Sequence, residues 1–232
     1  MNTCNSKMSF FLPVRKGSER VKNKNTRPFA NISGGLLENK LQQIIKSDMI
    51  DEIIVSTNDK LSIVIAKKYS TECSKIKIIP RPEELCLSTT NLQDLIAYVP
   101  TITDAENILW GHVTTPLADE KIYDDAIAEY FNQLPNGFDS LISVTEIKNF
   151  ILNSSGRIIN NNSDMPWPRT QDLEPLYEIN HVLFIANRNV YSLQKNRVGN
   201  NPYLYTMDKI KSIDVDWEED FIIAEELYKN RK

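Results

Sequence analysis

Basic side chains are concentrated in one loop near the start of the chain. Residues 10–29, FFLPVRKGSERVKNKNTRPF, pass from an apolar run into a loop with six Lys and Arg residues and one acid, Glu19. The chain has 27 Lys and Arg against 31 Asp and Glu, so 21 and 30 remain outside the loop. A local positive cluster in an otherwise acidic protein indicates a small polyanion bound at one site and argues against a nucleic-acid surface.

The residues of this loop suit a phosphate ligand. The loop contains neither the GxxxxGK[ST] pattern of a P-loop nor the GxGxxG pattern of a dinucleotide-binding fold. Backbone amides at Gly17 and Ser18 can cradle a phosphate, while Arg15 and Lys24 supply fixed positive charge. The alternative is a solvated basic loop without a ligand.

A loop of this kind needs a rigid sheet to hold it, and the sequence predicts one. Apolar runs of strand length alternate with helical patterns, which is typical of βαβ units in a mostly parallel sheet. In such sheets ligands bind beyond the carboxyl ends of the strands, where the loop after residues 9–14 must lie. The predicted strands are 9–14, 51–57, 75–80, 107–113, 138–145, 181–186 and 203–207, and the predicted helices are 36–49, 60–69, 91–98, 119–134, 190–195 and 220–230.

One segment lacks this periodicity. Residues 148–179 are rich in Asn, Ser and Pro, and a long irregular insertion in a compact domain is more often a functional arm than filler, with disorder as the alternative. Trp167 lies between two prolines and suggests a rigid apolar contact, more readily a dimer interface than a base stack. We expect a single domain over residues 1–232 with this arm inserted.

Composition narrows the class of protein. The chain has 232 residues, of which 41% are hydrophobic and 25% charged, as in ordinary soluble domains. Its start lacks the features of a signal peptide, and no apolar run is long enough for a membrane span. Cys4, Cys73 and Cys86 are too few and too scattered for a disulfide framework or a zinc site. We therefore expect a reduced, cytoplasmic protein with no membrane or nucleic-acid partner.

Five segments in order resemble the acylneuraminate cytidylyltransferases, the CMP-N-acetylneuraminic acid synthetase family. They are RKGSERVKNKNTRPF, IIPRPEELCLSTT, HVTTPL, RTQDLEPLYEIN and IDVDWEEDF. The resemblance implies a three-layer αβα nucleotidyltransferase fold of GT-A or Rossmann-like type, with a mostly parallel mixed sheet and residues 148–179 as a dimerisation arm. It also implies a Mg²⁺-dependent homodimer that joins CMP from CTP to a sialic-acid-like 2-keto sugar acid, releases pyrophosphate and serves surface glycans such as lipopolysaccharide or capsule.

The resemblance also implies roles for individual residues. The implied nucleotide-binding residues are Arg15, Lys24, Asn25 and Arg81, which join Gly17 and Ser18, already expected to bind phosphate through their backbone amides. The implied catalytic residues are Arg15, Lys24, Asp214 and Asp216, of which the two aspartates would hold Mg²⁺. The implied sugar-binding residues are His112, Arg169, Gln171 and Asn180. An arginine in the arm can pair bidentately with the sugar carboxylate, although an ordinary loop arginine is the alternative.

The two aspartates also have a physical rationale. In an extended segment residues two apart point to the same side, so Asp214 and Asp216 present paired carboxylates while Val215 faces the core. Hard oxygen ligands suit Mg²⁺ that carries substrate phosphates. In the alternative interpretation, Asp216 and Glu219 form a capping box that opens the last helix and needs no metal.

The chain departs from the family pattern mainly on the sugar side. His112 replaces a glutamine that by resemblance contacts the sugar, and Ala118 replaces an arginine. Glu19 stands where a lysine is common, and HVLF follows Asn180 where NGAIY-like sequence is usual. A neutral His112 can replace an amide hydrogen bond, and it would add pH dependence if it titrated near neutrality. The sugar is therefore left open between sialic, legionaminic, pseudaminic and octulosonic acids, and no general base is identified.

Two other functions fit the same residues. A GT-A-type glycosyltransferase would use Asp214 and Asp216 as the metal motif for a nucleotide sugar. A nucleotide-binding pseudoenzyme would have lost its sugar pocket through the changes at His112 and Ala118.

Overall fold

The computed structural model describes residues 6–18 and 20–231, so the expectations that involve Cys4 and Glu19 lie outside the described residues. The strands are β1 (Met8–Val14), β2 (Glu52–Thr57), β3 (Ile76–Pro80), β4 (Asn107–Gly111), β5 (Ser140–Ile147), β6 (Leu176–Asn187) and β7 (Pro202–Thr206). They form a seven-stranded sheet in the spatial order β3-β2-β1-β4-β6-β5-β7.

The helices lie close to their predicted positions. They are α1 (Gly35–Ile44), α2 (Lys60–Ser70), α3 (Leu92–Tyr98), α4 (Glu120–Gln133), α5 (Arg188–Gln194) and α6 (Glu218–Lys229). Helix α1 ends at Ile44 instead of Met49, because the hydroxyl of Ser47 accepts hydrogen bonds from the amides of Met49 and Ile50 and turns the chain toward β2. In residues 6–18 and 20–231, no helix combines the length and the apolar composition that a membrane span requires.

The strand order reverses beside β1. This strand pairs in parallel with β2 on one side and with β4 on the other. The pairs β2–β3 and β5–β7 are also parallel, whereas β6 runs antiparallel to both β4 and β5. The predicted mostly parallel mixed sheet is confirmed, and the reversal leaves a crevice between the loops that follow β1 and β4.

Helices cover both faces of the sheet. Phe10 and Leu12 of β1 pack into one core with apolar side chains of α1, α2, α4 and α6. Phe11 points to the opposite face, where it packs with Trp110 and with side chains of α3 and α5. This alternation follows from the two-residue period of a strand, and it confirms the three-layer αβα architecture.

The predicted arm connects the antiparallel strands β5 and β6. Residues 176–179 pair with residues 144–147 of β5, so the irregular connection comprises only 148–175. This part of β6 is not apparent in the sequence, because Tyr177, Glu178 and Ile179 are exposed and carry no apolar alternation. Within the connection, a single bridge joins Leu152 to Ile158.

Candidate active site

A cleft of about 450 Å³ opens at the carboxyl ends of β1 and β4, where the strand order reverses. It is lined by Pro13, Arg15, Gly17, Ser18, Arg20, Val21, Lys24, Asn25, His112, Val113 and Thr114. The structure therefore brings five of the six expected nucleotide-binding residues together; the exception is Arg81.

Buried side chains anchor the basic loop. Val21 and Phe29 are almost fully buried, and the ring of Phe29 packs edge-on against Phe221 of α6 at 5.5 Å between centroids. Gly17 has a φ of +77°, a left-handed conformation that glycine adopts without strain. Arg27 closes the loop against α6 through a bidentate ion pair with Glu218 at 3.0 and 2.7 Å. The cationic side chains are thus held on a fixed backbone.

Lys24 connects the basic loop to the segment 214–216. Its Nζ donates a 2.6 Å hydrogen bond to the carbonyl oxygen of Val215 and lies 3.6 Å from Oδ1 of Asp216. Burial lowers the pKa of Lys24, although the Asp216 carboxylate acts in the opposite direction. Arg20 donates a 2.7 Å hydrogen bond to the same Asp216 oxygen. Two cations and one carboxylate therefore meet at the border of the cleft.

The carboxylate pair has the predicted arrangement around Val215. This residue is fully buried, and its amide donates a 2.8 Å hydrogen bond to the carbonyl oxygen of Thr114, after β4. Asp214 has one buried oxygen, Oδ1, without a hydrogen-bond partner in residues 6–18 and 20–231. Burial raises the pKa of Asp214, although the Thr114 hydroxyl and the positive charge of Lys24 act against it. A buried carboxylate oxygen without a partner fits a hard cation, so the donor set is compatible with Mg²⁺.

The capping-box alternative for Asp216 is wrong. Helix α6 begins at Glu218, and the carboxylate that caps it belongs to Asp220. Its Oδ2 accepts hydrogen bonds from the amides of Asp216 and Trp217, at 3.0 and 2.7 Å. The Asp216 carboxylate does not cap the helix and binds the cations of the basic loop instead.

Helix α1 holds the segment that follows β4. Lys40 is fully buried, and its Nζ donates hydrogen bonds to the carbonyl oxygens of Thr115 and Ala118 and to the hydroxyl of Tyr123, at 2.8, 3.1 and 2.6 Å. Burial lowers the pKa of Lys40 well below its usual value. The side chain of Gln43 donates to the carbonyl oxygen of Pro116 in the same segment. Ala118, which replaces an arginine of the family pattern, thus lies in a buried, hydrogen-bonded turn.

His112 lines the cleft as a neutral imidazole. Its Nε2 accepts a 3.2 Å hydrogen bond from Nε1 of Trp110, so its Nδ1 carries the proton and donates to the carbonyl oxygen of His181 at 2.8 Å. Burial lowers the pKa of His112 to about 3, and the nearby charge of Arg197 adds to this effect. The condition under which His112 would add pH dependence near neutrality is therefore not met. Both ring nitrogens already have protein partners, so only the ring face and edge remain for a sugar contact.

Arg81 lies outside this cleft. The residue is 5% exposed, and its Nε and Nη2 donate to the hydroxyl and the carbonyl oxygen of Ser56, at 3.2 and 2.5 Å. The guanidinium therefore ties the end of β3 to β2. Burial lowers the pKa of Arg81, and the positive charge of Arg15 nearby adds to this effect.

A second pocket, of about 460 Å³, adjoins the cleft at the Lys24–Asp216 contact. It is lined by Thr145, Glu178, Ile179, Asn180, His181, Lys209, Ser212, Ile213, Asp214, Asp216, Trp217 and Asp220. Asn180, which is expected to bind the sugar, lies in this lining. It is only 7% exposed, however, and its side-chain amide forms hydrogen bonds with Ser143 and Thr145.

The two residues of the arm that are expected to bind the sugar lie outside the cleft and the second pocket. Arg169 pairs with Asp172 at 2.8 and 3.0 Å. Gln171 lines a smaller cavity together with Glu146 and Lys148. Within one chain, neither Arg169 nor Gln171 is part of the lining of the cleft or of the second pocket.

Sequence reasoning missed three residues at the site. Arg20 belongs to the basic loop, and only the fold shows that it binds Asp216. Thr114 contributes a carbonyl oxygen, which has no sequence signal. His181 lies in the unusual HVLF sequence after Asn180, so the departure from the family pattern was the available signal.

The fold and the site together define a nucleotidyltransferase, and comparison with known proteins gives the family. The chain belongs to the cytidylyltransferase family, whose pattern matches residues 10–231. This match favours the nucleotidyltransferase interpretation over the glycosyltransferase alternative.

Relatives within the family differ in the sugar acid that their names specify. The chain is 28% identical to the N-acylneuraminate cytidylyltransferase of Escherichia coli O18:K1:H7 (strain RS218 / NMEC) over 229 residues, which are 94% of this chain and 51% of that protein. It is 22% identical to the pseudaminic acid cytidylyltransferase of Campylobacter jejuni subsp. jejuni serotype O:23/36 (strain 81-176) over 228 residues, or 94% of each chain. The chain thus spans about half the length of its N-acylneuraminate relatives.

A solved structure supports the fold. The CMP:2-keto-3-deoxy-manno-octonic acid synthetase complexed with CTP superposes with a TM-score of 0.66 at 13% sequence identity, over 97% of this chain and 99% of that chain.

Proposed function

We propose that this chain is a Mg²⁺-dependent cytidylyltransferase that joins CMP from CTP to a sialic-acid-like 2-keto sugar acid and releases pyrophosphate. The observation that carries the proposal is the contact of Lys24 with Val215 and Asp216. This contact joins a cationic phosphate loop to a carboxylate pair in a chain of the cytidylyltransferase family. The names of the relatives support an acidic sugar as the acceptor.

The cleft residues have distinct tasks in this reaction. Arg15 and Lys24 neutralise the triphosphate, while the backbone around Gly17 and Ser18 cradles it and Asn25 holds the nucleotide. The anomeric hydroxyl oxygen of the sugar attacks the α-phosphorus, the bond to the leaving pyrophosphate breaks, and the hydroxyl proton is released. Positioning and charge neutralisation dominate such transfers.

The aspartate pair would hold the metal. Asp214 offers the buried oxygen without a partner, and Asp216 offers a half-exposed carboxylate beside the cleft. Mg²⁺ at this position would neutralise charge on the leaving group or polarise the sugar hydroxyl.

A homodimer is part of the proposal. The arm exposes large apolar side chains, and Trp167, Met165 and Leu152 are 75%, 58% and 58% exposed. Exposed apolar side chains gathered in one segment are typical of a protein interface. Arg169 and Gln171 belong to the same arm and would then face the second chain. Light scattering on the purified chain, compared with a Trp167→Glu variant, tests the dimer.

The decisive experiment is a pyrophosphate-release screen. Four nucleoside triphosphates are each incubated with sialic, legionaminic, pseudaminic and octulosonic acids in the presence of Mg²⁺. We expect release with CTP and at least one sugar acid. A glycosyltransferase releases no pyrophosphate, and a pseudoenzyme binds CTP in calorimetry but turns over none of the acids.

A further inference from the structure

Strand β6 contains a large irregularity beside the second pocket. Ile142 of β5 pairs with Phe184, whereas Val144 pairs with Ile179. Between these pairs β5 advances by two residues and β6 by five, so β6 accommodates three extra residues. Bulges of this kind redirect side chains and often lie next to active sites.

Buried polar groups hold the extra residues in place. Oδ1 of Asn180 accepts hydrogen bonds from the hydroxyl of Ser143 and the amide of Val182, at 2.6 and 3.3 Å. Its Nδ2 donates to the hydroxyl of Thr145 at 3.1 Å, and the amide of Leu183 donates to the Ser143 hydroxyl at 3.0 Å. Asn180, Ser143 and Thr145 are all buried, so this conformation of β6 is rigidly defined.

His181 occupies the most unusual position in this segment. Its φ is +59°, in the left-handed region that a residue with a Cβ adopts at a cost in free energy. Its carbonyl oxygen accepts a hydrogen bond from Nδ1 of His112, while its side chain is exposed and lines the second pocket. A strained residue whose side chain is exposed at a candidate active site suggests a use for that side chain.

The charge of the second pocket indicates that the His181 side chain serves as a hydrogen-bond donor. Among the residues that the structure describes, its lining contains four carboxylates, those of Glu178, Asp214, Asp216 and Asp220, but one lysine, Lys209. A sugar acid brings a further negative charge to this lining. Hydrogen-bond donors are therefore needed on the protein side, and the imidazole N–H of His181 is one of the few that the lining provides.

We propose that His181 is a specificity-determining residue whose imidazole donates a hydrogen bond to the carboxylate of the acidic sugar substrate in the second pocket. This inference rests on the proposed cytidylyltransferase function. The role needs only the N–H of the ring, and the irregularity in β6 places the imidazole in the same pocket lining as Asp214. It also explains why this position carries a residue with a Cβ despite the strained backbone.

Two substitutions separate this role from a structural one. His181→Gly removes the imidazole, relieves the backbone strain and keeps the carbonyl that binds His112. His181→Asn keeps an N–H donor on a residue that tolerates the left-handed conformation. Steady-state pyrophosphate release is measured for wild type and both variants, with CTP and sugar acid varied in turn, and their melting temperatures are compared.

We expect His181→Gly to raise KM for the sugar acid by about tenfold or more, with KM for CTP unchanged and the melting temperature equal or higher. His181→Asn should recover part of the loss. An unchanged sugar KM in the glycine variant overturns the inference, and so does a parallel rise of both KM values with a lower melting temperature. If the wild type releases no pyrophosphate with any sugar acid, the proposed function fails and the inference fails with it. If the wild type is active and the glycine variant gives either of the two contrary results, only the role of His181 fails and the proposed function stands.

Discussion

The ammonium group of Lys24 and the carbonyl oxygen of Val215 are 2.6 Å apart, although 191 residues separate them in sequence. Through this hydrogen bond, the loop expected to bind phosphate and the segment expected to bind metal form one structural unit. The amide of Val215 extends the unit to Thr114, after β4. A single buried residue thus positions three parts of the site.

Lys24→Ala should reduce pyrophosphate release by about 100-fold or more, because it removes a fixed positive charge from the triphosphate site. The fold should persist, since Val21 and Phe29 anchor the loop independently. Lys22→Ala is the matched control, because Lys22 is exposed in the same loop and should retain wild-type turnover. Equal turnover in both variants would remove Lys24 from the mechanism.

Asp214→Asn should abolish activation by Mg²⁺ and, at pH 7, raise the melting temperature. Burial raises the folded-state pKa of Asp214 above 3.8, so the folded protein holds this proton more tightly than the unfolded chain. Wild-type stability therefore falls as the pH rises from 3.8 through the folded-state pKa, and the asparagine variant lacks this loss. Melting curves from pH 4 to pH 7, together with Mg²⁺ titrations of turnover, measure both effects.

The control for this prediction is Asp216→Asn. The Asp216 side chain is 45% exposed and paired with Arg20, so the substitution should reduce turnover without a gain in stability. If Asp214→Asn is still activated by Mg²⁺ to the wild-type extent, this carboxylate is not a metal ligand.

Lys40→Met should lower the free energy of unfolding by about 2–3 kcal/mol, because it leaves two buried carbonyl oxygens and the Tyr123 hydroxyl without their donor. Turnover should fall as well, since the segment 114–118 loses its support. Urea unfolding and pyrophosphate release test the two effects. The exposed Lys46, just after α1, provides the control variant Lys46→Met, which should change neither quantity.

Lys40→Met should also change how the stability of the protein depends on pH. Burial lowers the pKa of Lys40 below 10.5, so the unfolded chain binds more protons than the folded protein at pH values between the two pKa values. Wild-type stability should therefore rise with pH through this interval, whereas Lys40→Met should lack this contribution. An identical pH dependence in both proteins would contradict a buried, perturbed lysine.

His112→Gln should keep turnover within about tenfold of wild type, because an amide can donate to the His181 carbonyl and accept from Trp110. His112→Ala should cost about 1–3 kcal/mol of stability, since the buried indole N–H of Trp110 loses its acceptor.

With a pKa of about 3 in the fold, His112 makes the wild type less stable as the pH falls below 6.5. Denaturant unfolding at pH 5 and pH 7 should show a smaller difference for the glutamine variant.

Much of the sheet could be predicted because strands β1, β2 and β4 are buried on both faces. In β1 every residue is buried or nearly so, and the resulting apolar run stands out in the sequence. The first half of β6 could not be predicted, because its side chains are exposed and only the pairing with β5 defines it. Strand pairing depends on the partner, which a local pattern does not contain.

The residues of the site also fall into those that the sequence reveals and those that it does not. Lys24 and Asp214 each carry a chemical signature in their own neighbourhood, a cationic loop and a repeated carboxylate. Each was therefore a candidate from the sequence, and the family resemblance implied that they belong to one site. The conformation of His181 depends on hydrogen bonds that Asn180 makes to β5, 35 and 37 residues away. The neutrality of His112 likewise depends on its burial in the fold and on the positive charge of Arg197, 85 residues away in sequence. Long-range partners set these properties, and the sequence alone gives no sign of them.

The arm has one further consequence, for engineering. Its base is closed by the pairing of Ile147 with Leu176, and three further successive pairs of β5 and β6 continue inward from there to Val144 and Ile179. The pairing of the two strands thus defines the register at the base of the arm. We therefore expect that residues 148–175 can be replaced by a connection of different sequence while β5 and β6 keep their pairing.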